Sequence, residues 1–298
     1  MACSATFHLR PSGAGRFSLP SAPVIPYFRP GALHVGPLTL HPWGAMVAAG
    51  FLLGSALAQR IARRRGLDPV VFWNIMPWLV VGACVFGHLG DVAYRPELYL
   101  EHPLRLFAVW DGLASYSGFF GCAVIAVLYF RRAGVDPLKG CDVLVIGVTL
   151  GWAIGRIGCF LVHDHIGRPV AEVPAVVRGL LGWLAVQFPA GTAGRGAPAA
   201  ARFELGLLDS LLAWALLAIL LVLERTPRRP GMLVGTGAIF YGGVRFLLDF
   251  LRNVDLPGAE PRILGLTPGQ YASIVAVALG AAVLRHGRER PPWPERLR

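Results

Sequence analysis

Seven stretches of this chain stay apolar for about the length of a membrane crossing, and each ends in a polar or Gly- and Pro-rich connection. They cover residues 41–61, 72–94, 113–131, 142–162, 206–224, 231–251 and 269–285. A helix needs about 17–25 apolar residues to cross roughly 30 Å of hydrocarbon, and each stretch meets that length. The pattern predicts an all-α integral membrane protein of seven transmembrane helices, in one domain covering 37–287 without internal repeats. Residues 1–36 are Pro-, Ser- and Gly-rich without a long apolar run, which predicts a flexible lead-in rather than a secretory signal. The longest connection, 164–205, contains GLLGWLAVQF at 179–188, too short to span and expected to be re-entrant or interfacial. Its Gly-, Ala- and Pro-rich part, 189–201, is expected to be mobile.

Composition supports the membrane class: 55% of residues are hydrophobic and 15% charged, with mean hydropathy +0.56. Soluble domains carry about a quarter charged residues. The net charge of +11 raises the question of nucleic acid. The basic residues instead cluster after alternate spans: Arg60, Arg63, Arg64 and Arg65; Arg131, Arg132 and Lys139; Arg225, Arg228 and Arg229; and Arg285 to Arg298. Alternating spans put all of these on one side, which the positive-inside rule makes cytoplasmic. The N-terminus is then outside, the C-terminus is cytoplasmic, 288–298 is a basic cytoplasmic tail, and no nucleic-acid partner is needed. The five cysteines, mostly inside spans, read as small packing residues, and no pair has metal-ligand spacing.

Polar groups inside the spans gather near the outer boundary. Arg156 and Arg245 each lie six residues from the outer end of their stretch. At about 1.5 Å of rise per residue, both sit roughly 9 Å below that boundary. A charge in hydrocarbon costs about 3 kcal/mol or more, so it faces a partner or a wet cavity. Near the same level fall His88, Asp91, Asp111, Ser115, Tyr116, Ser117, His163, Asp164, His165, Glu204, Asp209, Tyr241 and Asp249, while the inner halves hold almost nothing polar. Tyr241, Arg245 and Asp249 follow at i, i+4 and i+8 and share one helix face, where Asp249 can steady Arg245. Arg156 is open to a carboxylate on another span, such as Asp91 or Asp209. His88, His163 and His165 read equally as hydrogen-bonded structural groups. The His163-Asp164-His165 triplet shows no third metal ligand. Two guanidiniums at one depth fit a phosphate, because the planar fork matches its oxygens, and the phosphate available there is a phospholipid headgroup.

Several segments resemble the prolipoprotein diacylglyceryl transferase family from His41 to the end of the seventh stretch: HPWGAMVAAGFLLG with RIARRRGLDP, GHLGDVAYRPELYLEHPLRLFAVWDG, GWAIGRIGCFLVHDHIGRP, YGGVRFLLDFLR and LGLTPGQYASI. The resemblance implies a multi-pass enzyme of the bacterial cytoplasmic (inner) membrane. Such an enzyme moves a diacylglyceryl group from phosphatidylglycerol to the lipobox cysteine thiol in the signal peptide of a preprolipoprotein, releasing glycerol 1-phosphate and forming a thioether. It implies no cofactor and no metal. Arg156, Gly167, Tyr241 and Arg245 match positions the family uses, here assigned to the lipid phosphate. Asp249 and Asp164 match acidic positions, each with Asp in this chain, and Asp209 closes the segment opening span five.

The chain departs from the family pattern at several positions. Ser-Phe-His-Gly-Gly reads Ala114-Ser115-Tyr116-Ser117-Gly118, so Tyr116 stands for the histidine. Asn-Gly reads Val162-His163, the tyrosine early in span one is Trp43, and His-Pro-x-Gln-Leu-Tyr-Glu reads as 203–209, from Phe203 to Asp209. A phenol is a weak base at neutral pH, whereas histidine titrates near neutrality. Tyr116 is therefore expected to position the lipid by hydrogen bonding, with His163 or His165 taking the thiol proton beside Asp164. A related membrane lipid transferase with another acceptor, or a non-catalytic phospholipid-binding homologue, stays open on the sequence.

Overall fold

A computed structural model describes residues 25–293 apart from 37, 110, 111, 113, 227 and 258, so Asp111 falls outside the described residues. Helices form at all seven apolar stretches. In chain order the helices are α1 (Pro42–Arg64), α2 (Pro69–Tyr94), α3 (Pro96–Glu101), α4 (Ser115–Arg132), α5 (Pro137–Val162), α6 (Ala175–Leu181), α7 (Leu205–Glu224), α8 (Met232–Leu248) and α9 (Pro268–Arg288). Five are long and apolar enough to cross a membrane: α1, α2, α5, α7, and α8 with its 3-10 extension to Leu251. The expected third and seventh spans have shorter apolar middles. Helix α4 has 18 residues and closes on Arg131 and Arg132. Helix α9 opens on Pro268-Gly269-Gln270 and closes on Arg285, His286 and Arg288.

The helix starts follow from local chemistry. Pro42, Pro69, Pro137 and Pro268 each open a helix, where a missing N–H loses no bond. Asp68, Asp136 and Thr267 precede three of them and accept first-turn N–H groups on their side chains. Helix α5 packs against α1, α7, α4 and α8 and forms the centre of the bundle. Its seam with α1 is made of glycines. A Cβ at Gly54 would lie 2.5 Å from the Gly147 carbonyl oxygen, and one at Gly50 would lie 2.6 Å from that of Gly151. Small residues spaced four apart on both helices bring the backbones together, as membrane helix pairs require.

The all-α expectation needs correction in the long connection. Strands β1 (Ile25–Pro26), β4 (Ile166–Pro169), β5 (Val186–Phe188) and β6 (Ala200–Glu204) form a sheet in the order β1-β5-β6-β4. Strand β1 runs parallel to β5, and the β5–β6 and β6–β4 pairs are antiparallel. Strands β2 (Leu33–Val35) and β3 (Leu38–Leu40) form a separate hairpin. Residues 25–35, expected in a flexible lead-in, therefore hold two strands. The expected interfacial segment 179–188 is divided among the end of α6, a 3-10 turn at Gly182–Leu184, and β5. Phe188 and Phe203 are fully buried in this layer, so their apolar character serves the sheet rather than a membrane. The expected mobile stretch folds into turns, with Gly191 N–H on the Ala197 carbonyl at 2.8 Å.

The expectation of apolar inner halves is also corrected. Asp142 and Glu224 are buried at the end opposite the sheet. Asp142 accepts three N–H bonds of 2.9 Å, from Gly231, Leu233 and Val234, and so caps α8. Glu224 pairs with Arg65 at 2.9 Å and Arg228 at 3.9 Å. Over this cluster lies Trp293, 4% exposed, from the segment expected as a basic tail. Its N–H donates to the Arg228 carbonyl at 2.7 Å. Its ring lies 5.6, 5.5 and 5.4 Å from the cations of Arg65, Lys139 and Arg228. Arg290 adds an ion pair of 2.6 Å with Asp136. Members of the four basic clusters thus meet at one end of the bundle.

Candidate functional site

The site lies at the other end, where α5, α7, α8 and α4 converge beneath the sheet. Arg156 is held on three sides. Its Nε pairs with Asp209 Oδ2 of α7 at 2.7 Å, and its guanidinium carbon lies 4.3 Å from the centre of the Trp152 ring, one turn earlier. Its Nη1 donates to Cys159 Sγ at 3.6 Å. The partner left open between Asp91 and Asp209 is Asp209. Asp91 instead binds Arg95 and the hydroxyl of Tyr99 at the end of α2. Asp209 also accepts from the Tyr241 hydroxyl at 3.3 Å, which ties α5, α7 and α8 into one network.

Arg245 follows Tyr241 by one turn on α8 and is 7% exposed. Its Nη2 pairs with Asp249 Oδ1 at 2.9 Å, the expected i, i+4 contact, and donates to the Tyr116 hydroxyl of α4 at 3.3 Å. Asp249 also accepts from the Thr267 hydroxyl and lies 3.6 Å from Arg252. Tyr116 and Asp249 come together against Gly269, where an added Cβ would be 2.5 Å from Asp249 Oδ2 and would run into the Tyr116 hydroxyl. A glycine in the first turn of α9 is therefore required by this close approach.

The histidines separate. His163, one of the two expected proton acceptors, caps α5 in the left-handed conformation, with φ 53°. Its Nε2 is 2.8 Å from the Phe28 carbonyl oxygen. Its ring stacks on Tyr27 at 4.9 Å and lies edge-on to Phe188 at 5.1 Å. It is enclosed among aromatics, and it occupies the position where the resembling motif has Gly, the residue a left-handed helix end favours. The geometry gives His163 a structural task. His88 is likewise taken up by the Gly112 and Leu106 carbonyls.

His165 does enter the site. Burial first, then Arg156, Arg252 and Arg245, push its imidazole down to about 3, so it is neutral and lies in the field of three guanidiniums. Asp164 is its exposed neighbour, at 3.7 Å. Cys159, Asp164 and His165 place one potential ligand atom each within 4.8 Å of one another, while His163 of the triplet stays outside the group. The three surrounding arginines make that spot hostile to a cation and suited to an anion.

Gly167 lies in β4 and pairs with Arg252 across an isolated bridge. An added Cβ there would be 2.6 Å from the Leu251 carbonyl oxygen and 3.0 Å from that of Phe203. Close packing of β4 on β6 and on the end of α8 leaves no room for a side chain at this position.

Trp152, Cys159, Glu204, Arg252, Thr267 and Gly269 were missed as site residues. Trp152 and Cys159 had a signal, lying four before and three after Arg156. Arg252 lies three after Asp249. Glu204 is fully buried as the N-cap of α7, accepting from Leu207 N–H at 2.9 Å. Burial pushes its carboxyl up to about 7 against the backbone hydrogen bonds and Arg156. Only the β4–β6 pairing brings it beside His165.

Fold and site together define a multi-pass membrane protein with a buried cluster of paired arginines, carboxylates and tyrosines at one end of its helix bundle. Residues 30–285 match the family described as prolipoprotein diacylglyceryl transferase, and the chain belongs to that family. It is similar to the phosphatidylglycerol–prolipoprotein diacylglyceryl transferases of Acidiphilium cryptum (30% identity over 88% of this chain and 92% of the relative) and Azoarcus sp. strain BH72 (32% over 88% and 96%). That of Aromatoleum aromaticum is 33% identical over 89% of this chain and 98% of the relative.

Proposed function

We propose that this protein transfers the diacylglyceryl group of phosphatidylglycerol to the lipobox cysteine thiol of a preprolipoprotein, in the bacterial cytoplasmic membrane. The observation carrying this reading is the convergence of Arg156 and Arg245 from separate helices, each locked by a buried carboxylate, around a neutral imidazole. All seven long helices cross the membrane in this reading, with α4 and α9 completing the wall of the chamber. The sheet lies outside and the basic end faces the cytoplasm.

In the reaction, the thiol sulfur attacks the glycerol carbon that bears the phosphate. The C–S bond forms, the C–O bond breaks, and its electron pair leaves with glycerol 1-phosphate while the thiol proton passes to the protein. Charge grows on the departing phosphate, and fixed guanidiniums stabilise it without reorganising. Asp209 and Asp249 aim the two forks. Tyr241 joins Asp209 to the α8 face, and the Tyr116 hydroxyl holds Arg245 where the resembling motif has histidine. His165 accepts the proton with Asp164 beside it. Burial is the larger cause of the depressed imidazole and the arginine field the smaller; the bound phosphate offsets the arginine part, which makes His165 a better base once the lipid is in place.

The test is transfer from phosphatidylglycerol to a lipobox peptide by the purified chain. Arg156→Lys and Arg245→Lys are each expected to lose about a hundredfold in rate, because a point charge does not replace the fork. Normal rates in both variants would refute the phosphate clamp. An inactive parent that still binds phosphatidylglycerol would make this a lipid-binding homologue.

A further inference from the structure

At the basic end, a cleft of about 470 Å³ opens between the last turns of α1 and α7. Its lining is Ile61, Arg64, Leu221, Glu224 and Arg225. Helix α5 packs on both α1 and α7, and Ile61 and Leu221 give the cleft apolar walls. Glu224 at its floor is neutralised from behind, because Arg65 and Arg228 both pair with it. Arg65 and Arg228 are in turn covered by Trp293. Arg64 and Arg225 at the mouth are exposed, and neither side chain forms an ion pair or hydrogen bond among the described residues.

We propose that this groove binds the headgroup of one anionic phospholipid, separately from the chamber around Arg156 and Arg245. Two guanidiniums flank the mouth, the floor carries no uncompensated negative charge, and the walls accept the upper part of an acyl chain. Basic pockets between membrane helices bind anionic headgroups on these grounds. The site lies at the opposite end of the bundle from the proposed chemistry, so the groove and the transfer reaction stand or fall independently.

The experiment is native mass spectrometry of the purified full chain, released from phosphatidylcholine nanodiscs containing phosphatidylserine. The parent is expected to retain one phosphatidylserine. Each arginine near a headgroup contributes about a fivefold gain, so Arg64→Gln with Arg225→Gln is expected to lower retention about thirtyfold. Arg131→Gln with Arg132→Gln removes the same charge from the same end without touching the groove, and is expected to leave retention unchanged. Equal loss in both double variants would reduce the effect to general surface charge and overturn the site. Retention in Arg64→Gln/Arg225→Gln with loss in Arg156→Gln would place the lipid in the outer chamber, which also overturns it.

Discussion

His165 and His163 are two residues apart and have opposite fates. His163 is surrounded by Tyr27, Phe28, Phe160 and Phe188, with its Nε2 on a carbonyl oxygen. His165 faces Arg156, Arg245 and Arg252. Sequence reasoning weighed them equally because both follow α5 directly, and only the left-handed turn at His163 points their rings to different places. The depressed imidazole has a kinetic consequence. In the free enzyme His165 gains its proton only near pH 3, so the acid limb of kcat/KM is expected there. Bound phosphate raises the imidazole, so the acid limb of kcat is expected at higher pH, since kcat reports the complex. Coinciding limbs, or an unchanged profile in His165→Gln, would remove His165 from the proton path.

The helices were legible because each apolar run is long and begins on a local signal such as Asp68-Pro69, Asp136-Pro137 or Thr267-Pro268. The small sheet was not. Its strands are three to five residues long apart from the shorter β1, and their partners are distant in sequence, as in Ile25 with Val186 and Ile166 with Glu204. The α1–α5 seam was equally hidden, because a Gly-x-x-x-Gly spacing on each helix does not name its partner. The seam makes a sharp prediction. Gly54→Leu places a branched side chain where a Cβ alone would meet the Gly147 carbonyl at 2.5 Å. It is expected to cost about 3 kcal/mol or more through separation of α1 from α5. Gly44→Ala, near the start of the same helix with nothing near its Cβ, is expected to cost far less. Equal melting temperatures for the two variants in detergent would show that the seam is not needed.

The first and last of the described residues are tied into the fold at opposite ends of the bundle. Strand β1 completes the outer sheet beside β5. Trp293, beyond the residues that match the family, fastens α1, α5 and α7 through three cations. Trp293→Ala is expected to destabilise the protein by about 3 kcal/mol, with faster trypsin cleavage after Arg225 and Arg228. Transfer measured in the cold is expected to be retained, because the chamber is at the opposite end. Unchanged stability and cleavage would make the tail contact incidental. The same gathering of basic clusters underlies the proposed orientation. A reporter active only in the cytoplasm, fused after Arg298, is expected to be active, and silence there would invert the assignment of the two faces.

Period, length and charge bias are local properties, and they sufficed for the helices, for the sidedness of the basic clusters, and for singling out Arg156 and Arg245. An arginine inside an apolar run is conspicuous whatever it touches. Its partner is not conspicuous, because a carboxylate on any other helix satisfies the same requirement. Packing around α5 selected Asp209 over Asp91. The pairing of β4 with β6 placed Glu204 behind His165, and the end of α8 made Gly167 a packing residue. Side-chain roles were thus decided by which backbones approach closely, a property of distant segments that no window of the chain contains.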